Sequence, residues 1–429
     1  MTAFDLLDVP APGPLRVPVV HERTLPNGLR VLATRRASTP LAEACLSIPF
    51  AHADAAAAVL LAGALADETR TQDRVRAMGG GLSAAVDADR LRIAGSVLAD
   101  QLPAFLTLLG EIVTDPAYPD GDFALTVEHA VQATIAVLAS PAQHVAEALN
   151  TRMFGDHPYG RPAPRPGEFT RTGRDVVEAL HAERVVPTGA CLVLAGDFEP
   201  GAALDEVERA LGGWRPGRRV RMQRPGPWTP GRSVVDEPGV PQSLLRMALP
   251  VPRYDAPDYP ALALAAMVFG GYFSSRLVQN IREDKGFSYA PRSSLLHVDE
   301  AHLATVSLDV VTANTAAAAG EVVAELAGMA DRPVTAAELD RARRYSVGTL
   351  RLRLATLTGL AATLGDLDLH GLPVSWLGGH DARLAAVTPE EVTAAARRYL
   401  APDNAVTVLL CDEERVTPAQ GSSRTQSSL

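Results

Sequence analysis

The sequence predicts an α+β fold built as a tandem pair of similar domains, and three observations support this. The chain has 429 residues, more than a single hydrophobic core usually organises. The segment from Gly212 to Arg232 is dense in Pro, Gly and Arg and has no periodicity, which is typical of a linker. The stretches on either side of it show strands and helices in the same order. We therefore expect domains at residues 15–212 and 233–412, a linker at 213–232 and a disordered tail at 413–429.

The first half begins with RTLPNGLRVLATRR, two short strands around an Asn-Gly hairpin signal. A strand, ACLSIPF, and an apolar helix, DAAAAVLLAGALADET, follow. After a glycine break, GGGLSAAVDADRLRIAGSVL alternates as two paired strands do, and QLPAFLTLLGEIV returns to helical spacing. Long helical patterns, the strand GACLVLAGDF and the helix ALDEVERAL complete this half.

The second half repeats this order. SVVDE and SLLRMALP are predicted strands, and DYPALALAAMVFG is a predicted helix. The region GFSYAPRSSLLHVDEAHLATVSLDVV matches the paired strands of the first half in position. Thr335 with Glu338, and Thr388 with Glu391, have the spacing of capping boxes and predict helix starts. The strand NAVTVLLCD closes the half.

Composition excludes several classes of protein. The formal net charge of -10 argues against a nucleic-acid partner, which needs a basic face. Three scattered cysteines, without C-x-x-C spacing, predict neither a disulfide framework nor a zinc knuckle and suit a reducing compartment. The acidic, proline-bearing start is unlike a signal peptide, and no apolar run reaches membrane length. We expect a cytoplasmic protein without a membrane partner.

The most informative stretch is GGYFSSRLVQNIREDKGFSY, from Gly270 to Tyr289. A glycine pair precedes a predicted helix, and a Lys-Gly break opens a predicted strand, FSYAPRSSLL. Arg282 and Tyr289 face each other across that break and could grip a carboxylate or peptide carbonyls. Gly270 and Gly271 could let backbone approach a ligand. The same residues also fit ordinary roles, with Arg282 at a helix end and Tyr289 as a half-buried strand residue.

The ordered set of NGLRV, MGG before a strand, FGDHPYGRP and SSRLVQNIREDKGFSYA resembles the insulinase/pitrilysin metallopeptidases. The chain most resembles their two-domain bacterial branch and the mitochondrial processing peptidase, and the similarity extends over about residues 23–412. The resemblance implies two insulinase-like domains, each an antiparallel-rich sheet with helices packed on it, that together form a half-shell.

The family's inverted zinc motif, His-x-x-Glu-His, places two histidines one turn apart on a helix so that they share a metal. In this chain the motif falls on Val59, Leu60, Leu61, Ala62 and Gly63, none of which can coordinate zinc. The family's third ligand, a glutamate, falls near Ala133-Thr134, which also lacks a carboxylate. The resemblance therefore implies a chain with no metal of its own.

Other histidines offer no clear metal site. His144 and Glu147 match half of the inverted motif, but Ala148 stands where the second histidine belongs, so a solvated helix face is expected. His297 and His302 lie in HVDEAH, which reads as strands joined by an acidic turn, and their spacing of five residues points to different sides of a helix and to opposite faces of a strand.

His52 stands alone before the apolar helix, and His157, in the loop GDHPYG, is expected to make structural hydrogen bonds. The sequence also lacks a G-x-S-x-G elbow, a cysteine with an evident histidine partner and a P-loop lysine. No nucleophile or phosphate-binding alternative emerges.

In the two-domain branch, one subunit carries zinc and the other supplies an Arg/Tyr pair. The resemblance therefore implies that this chain is the non-catalytic, substrate-binding subunit of a heterodimeric zinc peptidase. Arg282, Tyr289, Gly270 and Gly271 would bind a peptide, and a homologous partner would hold the zinc. One alternative is an inactive scaffold or peptide-binding protein, as in the core subunits of the respiratory cytochrome bc complex. Another is an active homodimer with an undetected site. The substrate itself cannot be chosen from the sequence.

Overall fold

The computed structural model describes residues 15–66 and 69–416. It contains two mixed sheets, each covered by helices, which confirms the predicted α+β class. The predicted elements of both halves occur in the predicted order, and the Asn-Gly turn joins two antiparallel strands through Gly28, whose φ is +92°. That left-handed conformation is one that glycine adopts without strain.

The first sheet has six strands: β1 (His21–Thr24), β2 (Arg30–Arg35), β3 (Leu41–Pro49), β4 (Gly81–Val86), β5 (Arg90–Leu98) and β6 (Cys191–Gly196). Eight helices belong to this half: α1 (Ala55–Ala66), α2 (Thr69–Ala77), α3 (Leu102–Thr114), α4 (Asp120–Leu138), α5 (Pro141–Phe154), α6 (Pro166–Arg171), α7 (Arg174–Arg184) and α8 (Pro200–Leu211).

The second sheet has five strands: β7 (Gly231–Asp236), β8 (Gln242–Pro250), β9 (Arg292–His297), β10 (His302–Val311) and β11 (Val406–Cys411). Its half contains α9 (Tyr259–Ala266), α10 (Arg276–Val278), α11 (Thr315–Asp331), α12 (Ala336–Ala355), α13 (Leu357–Leu369), α14 (His380–Ala386), α15 (Pro389–Tyr399) and α16 (Glu413–Val416). Both predicted capping boxes are present, at the starts of α12 and α15.

The strand orders show the internal repeat directly. The first sheet runs β1-β2-β6-β3-β5-β4 and the second runs β7-β11-β8-β10-β9. Each contains one parallel pair, β2 with β6 and β7 with β11, and the remaining pairs are antiparallel. Apart from β1, every strand of the first sheet has a counterpart at the same place in the second.

The two halves exchange helices across their sheets. Strand β6 is buried on both faces: Leu192 and Leu194 join the core of the first half, while Val193 lies under residues of α13. In return, Val145 and Leu149 of α5 pack on β8 and β11 of the second sheet. A helix from each half therefore covers the other half's sheet. The predicted division of the chain at one linker does not include this exchange.

Two expectations about the chain need adjustment. Residues 413–416 of the predicted disordered tail form α16, and the Glu413 N–H donates to Asp236, while 417–429 lie outside the described residues. The helical stretch Tyr259–Asp284 is long and apolar enough to cross a bilayer by composition, yet most of its apolar window is buried inside the protein. Such burial is what a core helix shows.

Candidate functional site

The stretch between α9 and β9 has an unusual backbone. Two π-helical segments, Met267–Gly271 and Gln279–Asp284, flank the short helix α10. Gly286 follows two residues after the second segment; its φ of +61° lets the chain reverse, and its N–H donates to the Arg282 carbonyl at 3.2 Å. Widened π turns are rare and occur frequently at functional sites. The predicted Lys-Gly break is therefore present, and Arg282 lies in the π-helical turn before it.

Arg282 is held between two exposed aromatic rings. Its guanidinium carbon lies 4.4 Å from the Tyr289 ring centroid and 4.8 Å from that of Phe273. Tyr289 is 80% exposed and Phe273 is 59% exposed, values far above those of a packed core. We call these three side chains the aromatic–guanidinium stack. The sequence predicted that Arg282 and Tyr289 face each other, and it missed Phe273, although an aromatic residue beside the glycine pair was a visible signal.

The prediction that Tyr289 belongs to a strand was wrong. Strand β9 begins at Arg292, and residues 287–291 form an irregular connection that carries the tyrosine outwards. A strand residue at the same place would have had one face against the sheet. The irregular segment is what allows the ring of Tyr289 to lie over a guanidinium while remaining in solvent.

Gly270 and Gly271 lie where neighbouring atoms leave no room for a side chain, which is a different reason for glycine than the predicted approach of a ligand. A Cβ on Gly270 would lie 2.7 Å from the Ser293 Cβ, and one on Gly271 would lie 2.7 Å from the Met267 sulfur. Gly270 is also buried. Its lack of a side chain therefore lets the π-helical segment lie against β9, and any effect on a ligand is indirect.

A mostly buried ion pair lies at the start of the segment that carries Arg282. Both Glu338 carboxylate oxygens accept from Arg276, from Nε at 2.8 Å and from a terminal nitrogen at 3.0 Å. The Arg276 side chain is 12% exposed and that of Glu338 is 19% exposed. Hydrogen bonding to Arg276 lowers the pKa of Glu338 to about 2. This bidentate contact ties α10 to the start of α12 and so limits movement of the segment that carries Arg282.

The helix at the aligned zinc positions has no metal ligands. Leu60, Leu61 and Ala62 of α1 are buried in the apolar core, while Val59 and Gly63 are partly exposed. Ala133 and Thr134 lie on α4, a helix that contacts α1. Within residues 15–66 and 69–416, no group of three or more His, Cys, Asp or Glu side chains could hold a metal ion. The residues present do not fit a zinc site.

His297 and His302 lie closer together than predicted. They are directly paired across the β9–β10 hairpin, and their Nδ1 atoms are 3.1 Å apart. The strands joined by an acidic turn are present as predicted, but the spacing argument for a single helix or strand does not apply to them, because a four-residue connection brings positions i and i+5 opposite each other. The Tyr259 hydroxyl lies 3.0 Å from His297 Nε2, so the pair is buried in an aromatic cluster.

Two further histidines connect parts of the chain. The His144 side chain is 39% exposed, which agrees with the expected solvated helix face, and its Nδ1 lies 3.0 Å from Glu237 and its Nε2 lies 2.8 Å from the Leu138 carbonyl. His157 makes the predicted structural hydrogen bonds, with Nε2 2.9 Å from the Gln223 carbonyl and Nδ1 accepting from a backbone N–H. Both therefore link the first half to segments beyond α8.

Comparisons with known proteins agree with this architecture. A family model described as the peptidase M16 inactive domain matches residues 172–345. Over these residues the chain is similar to the M16, insulinase-type peptidases. A protein named as a zinc protease in Mycobacterium tuberculosis (strain H37Rv) is 25% identical over 408 residues, which cover 88% of this chain and 90% of that protein.

Solved structures of M16-type chains share the fold. A Pseudomonas fluorescens structure named as a peptidase M16 inactive domain is 21% identical, covers 94% of this chain and 99% of its own, and gives a TM-score of 0.84. A chain of Complex III2 from Candida albicans is 15% identical, covers 93% of this chain and 98% of its own, and gives a TM-score of 0.78. The present chain thus has an M16 peptidase fold with a helix that lacks the zinc motif.

Proposed function

We propose that this chain is the non-catalytic, substrate-binding subunit of a heterodimeric zinc peptidase that cleaves peptides or leader peptides. The observation that supports this most directly is a half-buried arginine in contact with two exposed aromatic rings, on a chain whose zinc positions carry no ligands. A homologous subunit would supply the zinc and perform the hydrolysis. This chain would hold the peptide in place for it.

The stack presents donors in a fixed orientation. The guanidinium lies over both rings, and these two contacts limit its movement. Among the described residues, the ion partner of Arg282 is its neighbour Glu283, 3.2 Å from Nε, which leaves the terminal nitrogens for a ligand. The Tyr289 hydroxyl adds another donor nearby. Peptide carbonyls or a carboxylate are the groups that suit this arrangement.

The contribution to catalysis would be positional. A peptide held by its backbone loses rotational freedom before it reaches the partner's reactive centre, and such positioning can contribute several kcal/mol, or about 7–11 kcal/mol at most. The aromatic rings hold the guanidinium in place before the peptide binds, so less side-chain entropy is lost on binding. The ion pair between Arg276 and Glu338 also limits movement of the segment that carries Arg282.

The test is to co-express the chain with a zinc-bearing homologue and to compare peptide cleavage by Arg282→Ala and unmodified complexes. A hydrogen bond to a charged group contributes about 1.5–3 kcal/mol, so kcat/KM is expected to fall about 10- to 150-fold. Arg209→Ala is the control, because Arg209 is 67% exposed and pairs only with neighbouring Glu206 on α8. Unaltered cleavage by Arg282→Ala would reject the assignment.

A scaffold without any role in hydrolysis is the second candidate, favoured by the shared fold with a chain of Complex III2. In that case the aromatic–guanidinium stack would be a packing feature of the surface. Arg282→Lys separates the two functions, because lysine keeps the charge and loses the planar fork. Substrate binding predicts reduced cleavage by this variant in the co-expressed complex, and a scaffold predicts no change.

A further inference from the structure

Helix α12 has a depression on its solvent side, centred on Gly348. Within residues 15–66 and 69–416, no side chain beyond its chain neighbours comes within 4 Å of a methyl group placed on Gly348. Residues three and four positions away surround a given position on a helix, and the apolar ones here are Tyr345 and Leu352. Tyr345 is 46% exposed and Leu352 is 74% exposed. The opposite face of α12 packs into the protein through its buried residues, Leu339, Ala342 and Leu354.

The residues around this depression have the arrangement that receives a side chain in helix packing. There, a side chain of one chain fits into the space enclosed by four residues of the facing helix. Tyr345, Gly348, Thr349 and Leu352 have the spacing i, i+3, i+4 and i+7 of such a space. Seven residues of helix rise about 10 Å, which leaves room for one large side chain between the tyrosine and the leucine. Glycine is also among the least favourable residues inside a helix, and here the open space would admit alanine.

The depression adjoins the aromatic–guanidinium stack. The ring of Tyr345 packs against that of Tyr272, with the centroids 5.5 Å apart and the planes at 30°. Tyr272 directly precedes Phe273, a member of the stack, and the Cα atoms of neighbouring residues are about 3.8 Å apart. The stack and the depression are therefore joined by a continuous set of contacts.

Helix α12 leads from the stack towards the first half of the chain. Its start is tied to α10 through Glu338, and near its end the Leu354 carbonyl accepts a hydrogen bond from Arg36. A peptide that leaves the stack along α12 would pass Tyr345 and then Leu352. Because an extended chain advances about 3.3–3.6 Å per residue, a short peptide can reach both the stack and the depression.

We propose that the depression at Gly348 binds one large apolar side chain, such as leucine, of the peptide that the stack holds. This rests on the proposed peptide-binding function and adds a preference to it. The stack binds main-chain groups that every peptide has, whereas the depression selects by side chain. The other neighbours of Gly348, Arg344 and Arg351, already pair with Asp340 and Asp381, so an apolar group meets no unpaired cation there.

The size of the apolar patch favours a peptide side chain over a second subunit. Two exposed apolar residues, Tyr345 and Leu352, cover far less than the roughly 800 Å² that each partner contributes to a standard interface. Exposed Arg341 and Arg344 lie on the same side of α12 and limit the patch. One peptide side chain needs only the space between the tyrosine and the leucine.

The first test measures the binding of fluorescent Gly-Ser peptides to the full chain by fluorescence anisotropy. Each peptide carries one leucine, which is moved along the peptide one position at a time, and a matched set carries alanine instead. At a particular position, leucine should bind about 3- to 10-fold more tightly than alanine, as expected when about half of an apolar side chain leaves water. Equal affinities at every position would overturn the proposal.

Variants that fill or open the depression separate its role from folding. Gly348→Leu places a side chain in the open space and favours the helix, so the preference for leucine should disappear while the midpoint of urea unfolding stays the same or rises. Gly320→Leu on α11 is the matched control, because this glycine also has open space but no large exposed apolar neighbour. Leu352→Ala removes one wall and should lower the preference, and Leu125→Ala, at a 51% exposed position on α4, should not. Retention of the full preference by Gly348→Leu would contradict the assignment.

Arg282→Ala distinguishes failure of this inference from failure of the proposed function. It should weaken binding of the leucine and alanine peptides by a similar factor, whereas Gly348→Leu should weaken binding of the leucine peptides alone. If Arg282→Ala changes neither affinity and Gly348→Leu still removes the preference, the proposed function fails and the depression remains a binding site. If Arg282→Ala acts and Gly348→Leu does not, the depression is wrongly assigned and the function stands. If Leu352→Ala weakens only the association with the co-expressed homologue, the depression is a subunit contact, which also overturns the proposal.

Discussion

Acid should weaken the contact between the β9–β10 hairpin and the end of α13, where three neutral histidines meet. His297 and His302 are paired with Nδ1 atoms 3.1 Å apart, and the His302 ring centroid lies 6.3 Å from that of His370. Tyr254 packs against both His297 and His370, at 4.0 and 4.8 Å between ring centroids. Since α13 covers the first sheet, this cluster also connects the two halves.

Burial lowers the pKa of all three imidazoles. The pKa of His297 falls to about 3 and that of His302 to about 4, in each case mainly by desolvation and then by neighbouring histidines. Desolvation also lowers the pKa of His370. As the pH falls, these histidines bind protons near pH 6.5 in the unfolded chain and only at lower pH in the folded chain. The stability from these neutral rings is therefore fully present above pH 6.5 and is lost as pH falls towards 3–4.

The loss can be worked out at pH 5. Since pH 5 is 1.5 units below the pKa of an unfolded histidine, each imidazole that stays neutral in the folded chain lowers the free energy of unfolding by about 2 kcal/mol. For His297 and His302 together the upper bound is about 4 kcal/mol, and partial solvent access reduces it to about 2–3 kcal/mol. That is a large part of the roughly 5–15 kcal/mol that stabilises a typical folded protein.

The assay compares the unmodified chain with His297→Gln/His302→Gln in urea unfolding at pH 7, 6 and 5. Glutamine does not titrate, so the variant should lose about 2–3 kcal/mol less between pH 7 and 5. His129→Gln, at an exposed position on α4, is the control and should leave the pH dependence unchanged. The difference between variants removes contributions from groups facing the cluster, namely Arg253, Asp255, Asp299 and Asp366.

Amide hydrogen exchange gives a local readout with an internal reference. Protection in the β9–β10 hairpin should fall on acidification more than in the β4–β5 hairpin, its counterpart in the repeat, which has no histidines. An equal loss of stability in the parent and the double variant would refute the reasoning. So would equal protection changes in the two hairpins.

Three further outcomes are expected. Arg276→Ala should lower the free energy of unfolding by about 1.5–3 kcal/mol, measured in urea, because it removes two charge-assisted hydrogen bonds from a partly buried carboxylate that keeps its contacts with Thr335. Gly270→Ala should cost about 1–3 kcal/mol through the contact with β9, whereas Gly320→Ala, with open space around it on α11, should stabilise by about 0.5–1 kcal/mol. A hydrogen bond to Glu237 raises the pKa of His144, so the stability that this histidine contributes is complete below pH 6.5 and is lost at higher pH. The difference in melting temperature between the unmodified chain and His144→Gln should therefore be larger at pH 5 than at pH 8.

Local signals predicted much of the fold because each depends on neighbouring residues. Asn27-Gly28 produced its turn, and the capping boxes at Thr335 and Thr388 began helices where expected. The order of strands and helices was likewise visible on both sides of the linker. The exchange of α5 and α13 between sheets was not, because both faces of β6 are apolar and periodicity cannot say which helix covers each face.

The candidate site was only partly predictable for the same reason. Arg282 and Tyr289 could be singled out from the sequence, but the irregular backbone at 287–291 and the second ring, Phe273, depend on how β9 begins. The turn between His297 and His302 was predicted, but which positions it brings opposite each other depends on the exact length of the connection. His52 gave no signal at all, since a positive φ at a histidine is set by the surrounding turn.

The residues at the aligned zinc positions are not the ones with an unfavourable backbone conformation or an exposed aromatic ring. Ala62 is buried in the apolar core, a position that suits alanine. By contrast, His52 is strained and Phe273 and Tyr289 expose aromatic rings to solvent, features that a scaffold could lose without harm. Local rules are broken most often where function requires it. A scaffold therefore predicts that Tyr289→Ala is neutral in every assay, whereas peptide binding predicts that it is neutral in stability and harmful only in recognition.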